Sequence, residues 1–167
     1  LDISQLCKSY LRRWENNGGK DMIRECTQED IEMITSYLKD EPYGRMILTA
    51  VNEFGFQERF QTVYIDVTNT ESGEVKLNGV YLFLYRSIIL FSKENHVDID
   101  FLEQWMGISA PDKVAGREDN VNIVSWLLTD YNMETGVTHP GITDGDSILL
   151  ECLKGAEYEG DWALLTR

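Results

Sequence analysis

The stretch Val114 to Leu128, VAGREDNVNIVSWLL, sets a short apolar step, one glycine and a burst of polar residues ahead of a run with helical periodicity. A strand, a glycine turn and a helix N-terminus in that order can cradle a phosphate, because free backbone N–H groups and the positive end of the helix dipole point at the ligand. The charges argue against that chemistry here. With a helix starting near Arg117, Glu118 and Asp119 fall in its first turn and supply that pole with anions of its own, each worth about 0.3–1 kcal/mol. They would repel a pyrophosphate, and one glycine does not match nucleotide-binding signatures, which need several at fixed spacing. The stretch is expected to be a charged helix start that packs Val121, Val124, Leu127 and Leu128.

Other chemistry finds little material. Asp144 and Asp146 in TDGDS could face a hard cation, but the further oxygen ligands that a calcium loop requires would fall on Ile148 and Gly155. The pair reads as an exposed acidic turn. Ser125 and Ser147 have no histidine at a motif spacing to activate them, and the two histidines, His96 and His139, cannot build a cluster. Cys7, Cys26 and Cys152 are odd in number and far apart, which suits neither a disulfide framework nor a zinc site. No catalytic, cofactor-binding or metal-binding residue is assigned. In EYEGDW, Tyr158 and Trp162 are ringed by Glu157, Glu159 and Asp161. Aromatics among acids are what a hot spot for a basic partner contains; the competing reading is a terminal hairpin with its aromatics packed inward.

Charge is the abnormal global feature, with a formal net of −14 over 167 residues. Between Glu94 and Asp161, fifteen acids face three bases, Lys113, Arg117 and Lys154. Such a surface repels nucleic acid and anionic membranes and steers basic partners toward itself. No apolar run approaches the ~18 residues of a membrane span, and the first residues lack the pattern of a secretion signal, so a cytoplasmic location is expected.

The elements that would position these residues divide the chain into three expected parts. Residues 1–21 read as an amphipathic helix, with Ile3, Leu6, Tyr10, Leu11 and Trp14 on one stripe, and a glycine-ended linker through which self-association is an option. Residues 22–133 read as an α+β core. MIRECTQEDIEMITSYLKDEP gives a short strand, then a helix capped by Thr27 with Asp30 three residues on and with Ile31, Ile34 and Leu38 on one face. YGRMILTAVNEFGF is a second helix ending at Gly55. The β-branched and aromatic run from Phe60 to Glu94, punctuated by NTESGE and YRS, predicts three antiparallel strands in a meander at the centre of a mostly antiparallel sheet flanked by helices. VDIDFLEQWMG is a short helix opened by Asp98 or Asp100. Residues 134–167 are expected as an acidic segment packed on the core, with NMETGVTHPGITDGDS as a loop and the last pieces left untyped.

In the order of these pieces, from Met22 to Tyr131, the chain resembles the first half of a divergent GNAT N-acetyltransferase. The likeness rests on MIRECTQEDIEMITSYLKDEP, NEFGF, FQTVYIDV, GVYLFLYRSIILFSKE, HVDIDFLEQ and VAGREDNVNIVSWLLTDY. It covers about two thirds of the chain and contains no diagnostic signature. GNAT enzymes bind acetyl-CoA through an Arg/Gln-x-x-Gly-x-Gly/Ala turn between the fourth strand and the following helix, where N–H groups take the pyrophosphate. Neither GREDN nor LKGAEYEG supplies it, so the resemblance carries over no catalytic residue. It implies either the N-terminal half of an acetyltransferase or a scaffold that lost the chemistry.

Two functions follow as expectations. The first is a non-catalytic acidic protein that docks on and inhibits a basic, nucleic-acid-binding partner, such as a nuclease or CRISPR effector, its carboxylates mimicking phosphates without contacting nucleic acid or membrane. It needs no cofactor, and its partner-binding candidates are Glu118, Asp119, Asp144, Asp146, Glu157, Tyr158, Glu159, Asp161 and Trp162. The alternative is a GNAT-type acetyltransferase, or the N-terminal half of one, using acetyl-CoA.

Overall fold

The structure, a computed structural model, describes residues 21–138 and 161–167. The expected N-terminal helix, Cys7, Cys152, His139 and the candidates Asp144, Asp146, Glu157, Tyr158 and Glu159 lie outside the described residues.

β1 (Asp21–Glu25) leads through a 3-10 turn (Gln28–Asp30) into α1 (Ile31–Leu38) and α2 (Pro42–Phe54). The entry to α1 is written locally: the Asp30 carboxylate accepts the Thr27 N–H at 2.8 Å and both ends of the Arg24 guanidinium at 2.7 Å. Pro42 suits the first turn of α2, whose missing N–H has no intrahelical role, and Gly55 at φ 67° stops the helix. The meander then runs as β2 (Gln61–Asn69), β3 (Val75–Leu84) and β4 (Ser87–Phe91), followed by α3 (Ile99–Ser109), β5 (Lys113–Arg117) and α4 (Glu118–Ser125). The Asp98 side chain caps α3 by accepting the Phe101 N–H at 2.9 Å. The sheet is completed by β6 (Asn132–Val137) and β7 (Trp162–Thr166).

These strands form one seven-stranded sheet in the order β1-β2-β3-β4-β5-β7-β6. Every pairing is antiparallel except β4 with β5. The fold is therefore α+β, with a mostly antiparallel sheet, the meander within it and helices on both faces, and its elements from Met22 to Tyr131 follow the order that the sequence pattern implies. One face packs α1 and α2 through Ile34, Leu38, Met46, Ile47 and Ala50 onto Val63, Ile65, Val80 and Leu82. The opposite face packs α3 and α4 through Phe101, Trp105, Val121 and Val124 onto Tyr64, Tyr81, Leu90 and Val114. Sheets covered on both sides are buried throughout, which is why β4 reads as an uninterrupted apolar run.

Two expectations are corrected. Asn132–Val137 is not a loop but an edge strand. Its residues are mostly exposed, and an irregular register between Glu134 and Val137 with Gly136 at φ 66° hides the alternation. Residues 162–166 are not a segment laid on the core but a strand within the sheet, between β5 and β6. No helix among the described residues is long and apolar enough to cross a membrane.

Candidate functional site

In open α/β sheets, ligands bind outside the carboxyl ends of parallel strands, in the crevice where connections part to opposite faces. The β4–β5 pair is the place to look, and Arg117, Glu118 and Asp119 stand at its carboxyl end. Here α3 and α4 leave these strands toward the same face, so the connections do not part.

Gly116, the glycine of the suspected cradle, is the last β5 residue paired with β4, opposite Leu90. A Cβ there would meet the Leu90 carbonyl oxygen at 2.7 Å and Val121 Cγ2 at 3.3 Å. The glycine serves close packing of strand on strand and helix, not the approach of a ligand.

The turn between the fourth strand and the following helix is Ser92–Asp98, SKENHVD, which contains no glycine. Its N–H groups are largely spoken for. Ser92 donates to Asn120 Oδ1 at 3.0 Å, Lys93 to the Tyr37 hydroxyl at 2.9 Å and Asn95 to the Ser92 carbonyl at 3.3 Å. His96 donates to Ser92 Oγ at 2.8 Å and Asp98 to the Tyr81 hydroxyl at 3.2 Å. Fully buried Asn120 also donates to the Ser92 carbonyl and to Asn95 Oδ1. The Arg117 guanidinium lies 5.4 Å from the Phe91 ring centroid and spans the gap between the strand ends. A diphosphate brought to this turn would have to displace these internal acceptors, so the turn does not fit one.

The sequence candidates separate. Glu118 is exposed at the start of α4, while Asp119 is held by Arg117 at 2.6 and 2.8 Å and accepts the Asn120 N–H. With Arg117 opposite Trp162 in the β5–β7 ladder, exposed Asp161 leaves the sheet at the same end. Trp162 corrects the hot-spot reading: it is 0% exposed, its ring edge-on to Tyr43 at 5.3 Å, because β7 points it into the α2 face. An open depression of about 500 Å³ is lined by Arg117, Glu118, Asp119 and Asn122.

Two features escaped sequence reasoning. Trp126, one turn beyond Asn122, is 78% exposed, whereas Leu127 and Leu128 pack against the core; α4 ends at Ser125, so the apolar run does not continue as one helix stripe. The other is Asp66, a buried carboxylate facing His96, whose signal was an acid inside the β-branched run VYIDVT.

A second cleft of about 500 Å³ opens at the other end of the sheet, beside Cys26, Thr27 and Gly55. Burial pushes the Cys26 thiol up to about 12, with Asp30 adding to the effect, so it stays protonated and inert as a nucleophile.

No family model matches the chain, and neither does any curated protein. Among solved structures, it is similar to the crystal structure of the Campylobacter jejuni N-acetyltransferase PseH. The identity is 10% and the TM-score 0.38, over 89% of this chain and 99% of that one.

Proposed function

We propose that this domain is a non-catalytic acidic binding module on a GNAT-like scaffold, which docks a basic partner at the end of the sheet where β5, α4 and β7 meet. The observation that carries the reading is Trp126, exposed one helical turn from a depression lined by Arg117, Glu118, Asp119 and Asn122. Tryptophan is over-represented among interface residues that dominate binding energy, and with Asp119 held by Arg117, the exposed Glu118 carboxylate is the group there that selects lysine and arginine. The partner class is a nuclease or other nucleic-acid-binding effector, whose phosphate-binding channel the carboxylates would occupy. No cofactor takes part. The test is association with an arginine-rich peptide at about 0.05 and 0.3 M salt, followed by Trp126 fluorescence. Electrostatic steering requires the association rate to fall steeply with salt; a rate indifferent to ionic strength would sink the reading.

A second reading, the N-terminal half of a GNAT acetyltransferase, is favoured by the order of elements from Met22 to Tyr131. It requires acetyl-CoA at millimolar concentration to raise the melting temperature, since a ligand that binds only the folded state stabilises it by mass action. An unmoved melting curve for this chain would count against it.

A further inference from the structure

Asp66 lies inside β2 and is 1% exposed. Its Oδ1 accepts from Asn78 Nδ2 at 3.3 Å, while its Oδ2 receives no hydrogen bond. His96 roofs it, with Nε2 3.6 Å from Asp66 Oδ2 and 3.9 Å from Asp21 Oδ2. Every element around Asp66 adds a polar group. β1 brings Asp21, α3 brings its cap Asp98, and β3 brings Asn78 and the Tyr81 hydroxyl. Thr68, on β2 itself, donates to Asp21 and accepts from Asn78. The other charged residues of the turn are engaged elsewhere, Lys93 with Glu41 at 3.7 Å and Glu94 with Lys76 at 3.1 Å. Among the described residues, no three His, Cys, Asp or Glu side chains are grouped to hold a metal ion. The counter-charge available to the buried carboxylate is the imidazole above it.

We infer that the buried Asp66 carboxylate beneath His96 is a proton-binding site that latches the Ser92–Asp98 turn onto the sheet, tight in acid and slack at neutral and alkaline pH. A buried carboxylate must be neutral or paired. Burial first, and repulsion from Asp98 and Asp21 after it, push Asp66 up to about 6 against the partial relief given by Asn78 and His96. Above that value Asp66 is ionised, with one long amide contact and an Oδ2 that receives no hydrogen bond. Opening the turn lets water reach the carboxylate, whose acidity then returns toward the ordinary value of about 4. The closed turn thus holds a proton that the open one releases, and linkage requires closure to weaken as pH rises between about 4 and 6. The inference does not depend on either functional reading, because it concerns whether the His96 and Asp98 amides stay bonded.

Amide hydrogen exchange on the full chain tests it, read at His96 and Asp98 at about pH 5 and pH 7.5 after correction for intrinsic rates, with Ala110 as a reference amide. The expected result is a fall in protection at both amides of about tenfold at the higher pH, the part of the ~100-fold allowed by a two-unit shift that lies above pH 5. Asp66→Asn should hold protection high at both pH values, and His96→Gln, at a 48%-exposed position, should move the midpoint upward because it removes a group that lowers Asp66. Equal protection in the unaltered chain, or an undiminished fall in Asp66→Asn, overturns the latch. Should Asp66→Asn fail to fold, an unmoved midpoint in His96→Gln overturns it and an upward move supports it.

Discussion

Arg117 donates from Nη2 to the main-chain carbonyls of both Ser92 and Lys93, at 2.8 Å each, so the end of β5 is tied to the turn that leaves β4. A planar fork can do this while its Nε also holds Asp119 at 2.6 Å, and an ammonium group cannot reproduce that geometry. Arg117→Ala should lower stability by about 1–3 kcal/mol, and Arg117→Lys should recover only part of it. The denaturation midpoint, with an unchanged denaturant slope, is the measurement.

Gly116→Ala should also destabilise, by about 1–3 kcal/mol, since overpacked sites relax only by shifting their neighbours. The closest neighbour of the new methyl group is backbone, the Leu90 carbonyl at 2.7 Å, so the strand pair itself must part. Thermal melting checks the loss, and a wild-type melting temperature would show that the contact yields freely.

Local signals made much of this fold legible. Thr27 and Asp30 mark the entry to α1 within four residues, and the turns between β2, β3 and β4 are short enough to be written in adjacent residues. β6 and β7 were not legible for opposite reasons. β6 is an exposed, irregular edge with no burial pattern, whereas β7 is buried on both faces and so has no period of two; its partners Lys113 to Arg117 lie far back in the chain. In the candidate site, the self-supplied anions of α4 could be read from Glu118 and Asp119. The neutralisation of the Ser92–Asp98 turn could not, because its acceptors Tyr37, Tyr81 and Asn120 come from three other elements.

Asp30 and Asp66 predict opposite pH responses. Hydrogen bonds from Arg24 hold the Asp30 carboxyl below the usual range, so the unfolded chain binds that proton more readily. The stability it contributes is present above about pH 4 and is lost as pH falls through the lower folded value. Asp66 is raised to about 6, so its contribution is full below about pH 4 and is lost as pH rises through about 6. Asp66→Asn should therefore stabilise the protein at pH 7.5 by about 2–3 kcal/mol, at about 1.4 kcal/mol per pKa unit, with little gain at pH 4. Asp30→Asn should weaken it at pH 7.5 and matter least in strong acid. Urea titrations of each variant across this range decide both signs.

The tryptophans predict a sharp contrast. Trp162→Ala empties a fully buried site between β7 and α2 and should cost about 3–5 kcal/mol. Trp126→Ala touches an exposed side chain and should stay within about 0.5 kcal/mol of the parent, while weakening capture of an arginine-rich peptide at least tenfold. Loss of stability without loss of capture in Trp126→Ala would move the docking surface elsewhere.

The place of β7 between β5 and β6 has a consequence for how the molecule comes into being. One edge of β5 pairs with β4, but on its other edge Lys113 to Arg117 meet Thr166 to Trp162, so that edge emerges long before the strand that covers it. Until then it offers a row of unpaired N–H and C=O groups, a template for any passing strand. Closing so distant a pairing also makes the last step of sheet assembly slow. A nascent or partly unfolded chain is thus exposed to capture by a second copy along β5, and the same open edge would accept a β7 peptide supplied in trans.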